Sequence, residues 1–275
     1  LILATVLGLV IAIALMMSIP LYADAVYHRI FLQNVRGEDG ASGSIPSFGF
    51  LFRYDGSIYG TKDWSEVQPV DHYLTDEAPG AIGLPEKFGV RYFTTDPFGI
   101  YADKSSAFDN TISPLVWAGF AFLSDVQDHI TILEGTFPTP APSIGDDPAE
   151  VLVHEEIALE VGAQVGETYI AYTKIRSEDG FVRDVQIPVR ISGVWRATDE
   201  RDDYWFFRPR AFSERLLVPE TTFSGYVNEA LDKEIYTAIW YLAMEGNAIH
   251  HSEADGLIRR TMSVQQKAAG FLPNA

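Results

Sequence analysis

The hydrophobic pattern of the first 23 residues differs from that of the rest of the chain. Residues 1–23 contain no charged side chain, and their core is apolar on every face of a helix. About 20 such residues, rising about 1.5 Å each, span roughly 30 Å, which is the thickness of the hydrocarbon core of a bilayer. Pro20 ends the apolar run, and Tyr22 lies where interfacial aromatic side chains are found. The pattern predicts a transmembrane helix over residues 1–23.

A cleaved signal peptide is the alternative for this segment. The small residues Ala23-Asp24-Ala25 fit a cleavage site. The apolar run is longer than the roughly 7 to 15 residues of a signal-peptide core, which favours an uncleaved anchor. Either interpretation places residues 24–275 outside the cytoplasm.

Beyond this leader, apolar runs of strand length predict a β-rich body. The predicted strands are Phe48–Tyr54, Lys87–Thr94, Leu115–Ser124, Val151–Val153, Thr168–Arg176, Phe181–Trp195, Leu216–Val218 and Ile235–Met244. The last of these runs also allows a helix. Asp179-Gly180 lies between two of the runs and predicts a β-hairpin there.

Two further segments have helical patterns. Glu155–Val161 predicts a short helix that ends at Gly162. Ser252–Ala269 has apolar residues at helical spacing, with Ser252 and Asp255 as a capping box. Stretches rich in proline or glycine are predicted as loops at Trp64–Gly83 and Pro138–Pro148. The expected fold class is α+β, with one N-terminal transmembrane helix followed by a strand-rich extracytoplasmic domain.

The composition excludes several classes of protein. The 275 residues include 20 Lys and Arg against 38 Asp and Glu, which gives a formal charge of −18. Such an acidic surface does not displace counterions from nucleic acid, so no nucleic-acid partner is expected. Hydrophobic residues make up 47% of the chain, too many for a disordered protein. The absence of cysteine excludes disulfides, thiolate metal sites and a cysteine nucleophile.

No residue pattern for catalysis or cofactor binding stands out. The chain has neither a phosphate-binding G-x-x-x-x-G-K-[ST] motif nor a G-x-S-x-G nucleophile turn. His154-Glu155-Glu156 resembles the start of a zinc-protease motif, but Ala158 occupies the position of the second histidine ligand. His250–Asp255 collects two imidazoles and two carboxylates, which an ordinary helix start also explains. We therefore expect no enzyme activity, no catalytic or metal-binding residue and no cofactor.

Four segments carry a more specific pattern. They read ILEGTFP at 132–138, EVLVHEEIA at 150–158, VGAQVGET at 161–168 and IPVRISGVW at 187–195. Together they resemble the extracytoplasmic domain of MacB/FtsX-like ABC transporter permeases. Thr136, His154 and Glu167 depart from the Arg, Ser and Asp that are usual in that family. Glycines that allow positive φ and valines that fill buried strands make these motifs structural rather than catalytic.

The resemblance implies a specific architecture. After the transmembrane helix at 1–23, it predicts a porter-like subdomain made of 24–114 and 197–275, with an inserted β-rich subdomain at 115–196. The later membrane helices of such permeases are not in this chain, which is therefore expected to be a fragment. The two ends of the exported domain are expected to lie close together, facing the membrane.

The resemblance also implies a function and partners. Such permeases pair with a second copy or a paralogue and recruit a cytoplasmic ABC ATP-binding subunit. The chain is then expected to transmit the ATP-driven motion of that subunit across the bacterial cell membrane, for export, extraction or signalling. Membrane lipid around the helix is the remaining expected partner.

Two other functions fit parts of the sequence. Five Trp, 13 Tyr and 17 Phe, together with the leader, fit a secreted or membrane-anchored binding module for cell-wall or carbohydrate ligands. The 38 acidic residues allow an exported hydrolase with paired carboxylates, although no spacing singles out a pair. The permease interpretation accounts for the leader and for the four segments at once.

Overall fold

The computed structural model describes most of the chain after the leader. The described residues are 48–102, 104, 106, 112–176, 180–246, 249 and 251–272, with Tyr22 and Val26 as isolated positions before them. The predicted transmembrane segment lies outside these residues except for Tyr22. Among the helices that are described, none combines the length and the apolar character needed to span a bilayer.

The described residues form ten strands, so the strand-rich α+β class is confirmed. The strands are β1 (Gly49–Asp55), β2 (Glu86–Thr94), β3 (Phe98–Tyr101), β4 (Val116–Leu123), β5 (Ile130–Gly135), β6 (Ala149–His154), β7 (Thr168–Arg176), β8 (Val182–Ala197), β9 (Arg215–Leu217) and β10 (Thr237–Met244). Every predicted strand is present, whereas β3 and β5 were not predicted. β10 is a strand rather than a helix because it lies between β1 and β2, where its apolar residues are buried on both faces.

The helices in the described part of the chain are mostly short. They are α1 (Gly56–Tyr59), α2 (Trp64–His72), α3 (Ala78–Ile82), α4 (Glu155–Val161), α5 (Asn228–Leu231) and α6 (Ala254–Phe271). A π-helical turn, Tyr73–Glu77, joins α2 to α3. Helix α4 has the predicted bounds and ends at Gly162, whose φ is +68°. Helix α6 has Glu253 rather than Ser252 at its N-cap, with no side-chain cap hydrogen bond, so the predicted capping box is wrong.

The predicted loop at Trp64–Gly83 is also wrong, because most of it is helical. The Asp63 carboxylate accepts a hydrogen bond from the Ser65 N–H at 2.7 Å, and Glu66 accepts one from the Asp63 N–H at 3.0 Å. This capping box starts α2 and outweighs Pro69 inside the helix. The apolar residues that helical spacing then buries are Val67, Val70, Leu74 and Ile82.

All ten described strands belong to one sheet. Its pairing order is β1-β10-β2-β4-β3-β7-β8-β6-β9, and β5 pairs with the second half of β8. Because β9 also pairs with β4, six strands (β4, β3, β7, β8, β6 and β9) close into a ring. The antiparallel β7–β8 pair confirms the predicted hairpin. The sheet contains strands from both predicted subdomains, and the division at 115–196 stays a prediction.

Alternation along β10 separates two apolar cores. Ala238, Trp240 and Leu242 belong to a large core that also includes residues of α2, α3, α6 and the ring strands. Ile239 and Tyr241 point the other way, into an aromatic core. The large aromatic residues that fill this second core are Tyr92, Trp195, Tyr204, Trp205, Phe206 and Phe212.

Helix α6 covers α3 and the turn before it. Arg260 Nε donates to the Ile82 carbonyl at 2.6 Å, and Lys267 Nζ pairs with Glu77 at 2.8 Å. The later residue of α6 contacts the earlier residue of the segment Glu77–Ile82, so α6 runs antiparallel to it.

The described chain enters β1 and leaves β10 at the same end of this strand pair. Gly49 lies opposite Ala243, and the Met244 N–H donates to the Phe48 carbonyl at 3.1 Å. Residues 1–47 therefore join the domain where β10 ends. The orientation of this end toward a membrane stays a prediction.

Candidate functional site

The four segments that carry the sequence resemblance meet around β8. Strands β5 and β6 pair with opposite edges of its second half. In the segment between α4 and β7, the Gly166 N–H donates to the Ile191 carbonyl at 2.8 Å, and the Ile191 N–H donates to the Glu167 carbonyl at 3.0 Å. Segments that are far apart in sequence therefore form one structural unit.

Glycines allow the close approach of β5 and β8 within this unit. Gly135 has a φ of +81°, and a Cβ at this position would overlap the Ser192 carbonyl oxygen. A Cβ on the facing Gly193 would lie 2.8 Å from the Thr136 carbonyl oxygen. The positive φ predicted for Gly135, Gly162 and Gly166 is confirmed.

His154 caps helix α4 within the same unit. Its Nδ1 accepts a hydrogen bond from the Glu156 N–H at 3.2 Å, and its ring packs edge-on against Trp195 with 4.8 Å between centroids. Burial lowers the pKa of the imidazole more than the charge of Glu156 raises it, so the ring is neutral at pH 7. A buried, neutral histidine at a helix N-terminus explains this residue without a metal.

The sequence offered two alternatives for a metal site, His154-Glu155-Glu156 and His250–Asp255, and neither gains a further ligand among the described residues. In the part of the chain that the structure describes, no group of three or more His, Asp or Glu side chains is placed to hold a metal ion. The His250–Asp255 cluster lies partly outside that part, since neither His250 nor the His251 side chain is described.

Most of the tryptophans belong to the cores. Trp195, Trp205 and Trp240 are buried, and Trp64 packs at the edge of the larger core. Trp117 on β4 is the exception, with 57% of its surface exposed. Packing therefore accounts for much of the aromatic content that also fits a ligand-binding module.

A cleft of about 330 Å³ lies over β2, β4 and β10, and its chemistry is dominated by Arg91. The guanidinium binds both carboxylate oxygens of Glu220 at 2.8 and 2.9 Å and one oxygen of Asp71 at 2.9 Å. It lies 5.3 Å from the ring centroid of Phe122. The other oxygen of Asp71 accepts a hydrogen bond from Trp240 Nε1 at 2.8 Å. We call Arg91, Asp71, Glu220 and Trp240 the Arg91 network.

The Arg91 network is an ion-pair link within the protein. Burial lowers the pKa of the guanidinium, but the hydrogen bonds and charges of Glu220 and Asp71 raise it by more, so Arg91 is charged at any accessible pH. The link ties β2 to α2 and to the segment after β9. Because both partners are carboxylates and Glu86 and Asp125 also line the cleft, negative charge is in excess there.

Sequence reasoning missed the Arg91 network. The available signal was a charged residue inside an apolar strand, since Arg91 interrupts Lys87–Thr94. Its partner Asp71 lies in the segment that was predicted as a loop, and Glu220 is 129 positions away along the chain. No local pattern pairs residues at such a separation.

Comparisons with protein families, curated proteins and solved structures add little to this description. No family model and no curated protein matches the chain. Among solved structures, the chain is similar to "a domain of a putative Permease protein from Porphyromonas gingivalis", with 14% sequence identity and a TM-score of 0.32. The similarity covers 76% of this chain and 74% of that one. A TM-score of this size does not define a shared fold.

Proposed function

We propose that the chain is the extracytoplasmic and first-membrane-helix part of a MacB/FtsX-like ABC transporter permease. Residues 1–23 anchor it in a bacterial cell membrane. A cytoplasmic ABC ATP-binding subunit and a second permease copy or paralogue assemble with it. ATP-driven motion of that assembly displaces the exported domain, and the chain itself performs no bond chemistry.

The observation that carries this proposal is the assembly of the four motif segments around β8. Segments that match a family by chance have no reason to become neighbours in space. Here three of them are held to β8 by backbone hydrogen bonds, and the fourth contains most of β8 itself. The motif glycines Gly135, Gly162 and Gly166 all have positive φ, as their role in turns requires.

The connections within the sheet also favour transmission of force. Residues 1–47 join the domain at Phe48, immediately before β1. All seven residues of β1 pair with β10. A pull along β1 loads these hydrogen bonds together rather than one after another, because the force is parallel to the strands. The Arg91 network ties β2 to α2, so a displacement of β2 acts on α2 as well.

Single-cysteine labelling tests the location, since the chain has no cysteine of its own. Leu159→Cys places a thiol at a side chain that is 81% exposed on α4, and Leu152→Cys is its buried control on β6. In intact bacteria that produce the full-length protein, a membrane-impermeant maleimide should label Leu159→Cys. The control should react only after denaturation.

Two results contradict parts of the proposal. Labelling of Leu159→Cys only after cell lysis would exclude an extracytoplasmic domain. Release of the chain into the medium with a new N-terminus near Val26 would favour the secreted binding module.

A second measurement tests the partner ATPase. Full-length protein purified from membranes in mild detergent should carry vanadate-sensitive ATP hydrolysis, and replacing residues 1–23 by a cleavable signal peptide should abolish it. Purified membrane protein without associated ATP hydrolysis would contradict the mechanical function but not the membrane location.

A further inference from the structure

A buried carboxyl group lies where α2, α5 and β10 meet. Glu234 is 1% exposed, and its Oε2 accepts a hydrogen bond from Asn228 Nδ2 at 2.7 Å. The same Nδ2 also donates to Asp63 Oδ2 at 3.0 Å, so one amide bridges two carboxyl groups. The second oxygen of Glu234, Oε1, is buried and has no hydrogen-bond partner. Such an orphaned oxygen is costly if the group carries a charge.

The surrounding contacts hold three elements together at this point. Lys62 and Ile235 exchange two backbone hydrogen bonds, both of 2.9 Å, next to Glu234. Asp63 is the N-cap of α2, and Asn228 begins α5. A change in the charge of Glu234 therefore acts directly on the junction between the start of α2 and the turn from α5 to β10.

The charged groups that face Glu234 come from both sides of this junction. Asp63 supplies the carboxylate that acts on it directly. Lys62 Nζ pairs with Glu66 on α2 at 3.1 Å, and Lys233 stabilises the charges of Asp63 and Glu66. The other charged groups on α5 and beside it are Glu229, Asp232 and its ion-pair partner Arg183.

We propose that Glu234, Asn228 and Asp63 form a proton-sensitive latch. With Glu234 neutral, the latch is closed and the turn from α5 to β10 is held against the N-terminus of α2. Ionisation of Glu234 places a second negative charge beside Asp63 and leaves the charged Glu234 with one oxygen, Oε1, that has no hydrogen-bond partner. Because both effects disfavour the closed form, the junction opens locally. This inference does not depend on the proposed function.

The titration of Glu234 sets the pH range of the latch. Burial raises the pKa of its carboxyl from 4.5 to about 7, against the hydrogen bonds from its own N–H, from Asn228 and from the Trp64 N–H. The charge of Asp63 raises the pKa further. A raised pKa means that the closed form binds the proton more tightly than the open form. Closure is therefore most favourable below about pH 4.5, weakens as the pH rises through about 7, and changes little above that.

Hydrogen–deuterium exchange of the full-length protein in detergent, read on peptides that contain Lys62 or Ile235, measures the opening directly. After correction for intrinsic exchange rates, protection should fall by up to about tenfold per pH unit between about 4.5 and 7. The total loss should be about 300-fold, with a plateau above it. Protection that stays constant across this range would overturn the latch.

Three variants separate the latch from general effects of pH. Glu234→Gln keeps the group neutral and should make protection independent of pH, whereas the exposed control Glu160→Gln on α4 should behave as wild type. Asp63→Asn keeps a residue suitable for the N-cap but removes the neighbouring charge, so the plateau should begin at a lower pH. If protection in Glu234→Gln falls with pH as much as it does in wild type, the proposal is overturned. If that variant does not fold, an unshifted plateau in Asp63→Asn would overturn it.

Discussion

At the scale of single residues, glycines decide how closely two strands approach each other, because they have no Cβ. The backbones of β5 and β8 meet at Gly135 and Gly193, where a Cβ on either residue would lie too close to a carbonyl oxygen. Gly135 combines this crowding with a positive φ, so two separate costs oppose its replacement.

Replacing Gly135 by Ala should therefore destabilise the domain by about 2–4 kcal/mol, from overlap with the Ser192 carbonyl and from backbone strain. Gly145→Ala is the matched control, because a Cβ there meets no atom within 4 Å. Urea unfolding followed by tryptophan fluorescence measures both free energies of unfolding, and the control should differ from wild type by at most about 0.5 kcal/mol. Equal losses in the two variants would contradict the role of Gly135.

The buried His154 gives stability a pH dependence of known sign. Its pKa lies below the ordinary histidine value of 6.5, chiefly because of burial, so the folded protein binds a proton less readily than the unfolded chain. The free energy of unfolding should fall as the pH drops below about 6.5. Asn also accepts hydrogen bonds at an N-cap, so His154→Asn should show a weaker decrease than wild type in urea titrations. An identical decrease in both proteins would assign the effect to other groups.

At the scale of elements, single ionic contacts join pieces that are distant in sequence. The Arg91 network connects β2, α2 and the segment after β9, whereas Lys87 on the same strand forms an exposed pair with Asp203. The Arg91 ion pairs are less exposed to solvent than the Lys87 pair and should contribute more to the free energy of unfolding, because water screens exposed pairs.

Arg91→Met should cost about 2–3 kcal/mol of unfolding free energy, since it leaves Asp71 and Glu220 without their cation. Lys87→Met should cost at most about 1 kcal/mol. Denaturant midpoints at low and high salt separate the two cases. Added salt screens the exposed pair, so it should reduce the already small loss of unfolding free energy in Lys87→Met. A loss at Arg91 no larger than that at Lys87 would show that the network contributes little.

At the scale of the whole molecule, the closed ring bears on the predicted division into subdomains. The predicted insert at 115–196 contributes β4, β6, β7 and β8 to the ring, but β3 and β9 come from the other part of the chain. Without these two strands, the ring has unpaired edges on β4, β6 and β7.

A fragment of residues 115–196 should therefore unfold without a cooperative transition, whereas residues 48–272 should unfold cooperatively. Thermal unfolding followed by near-ultraviolet circular dichroism compares the two. A sharp transition in the short fragment would support an independent inserted subdomain.

The sequence alone determined most of the local structure. Alternating or continuous apolar runs were sufficient for β1, β2, β4, β7, β8 and β10, because burial of one or both faces leaves a pattern in neighbouring residues. Glu155–Val161 and Gly162 were equally clear, since a helix and its left-handed C-terminal residue depend on local backbone preferences. The helical segment α2 to α3 was missed because a polar stretch with Pro69, Pro79 and Gly80 is typical of a loop, whereas the capping box at Asp63 starts a helix there.

Only the tertiary structure decided which elements meet. The parallel pairing of β4 with β9 closes the ring, and the contacts of Arg91 and the burial of Glu234 depend on residues far away in sequence. A charged residue looks the same in a local pattern whether it is solvated or enclosed. Its partners and its pKa depend on the three-dimensional surroundings, which neighbouring residues in the chain do not specify.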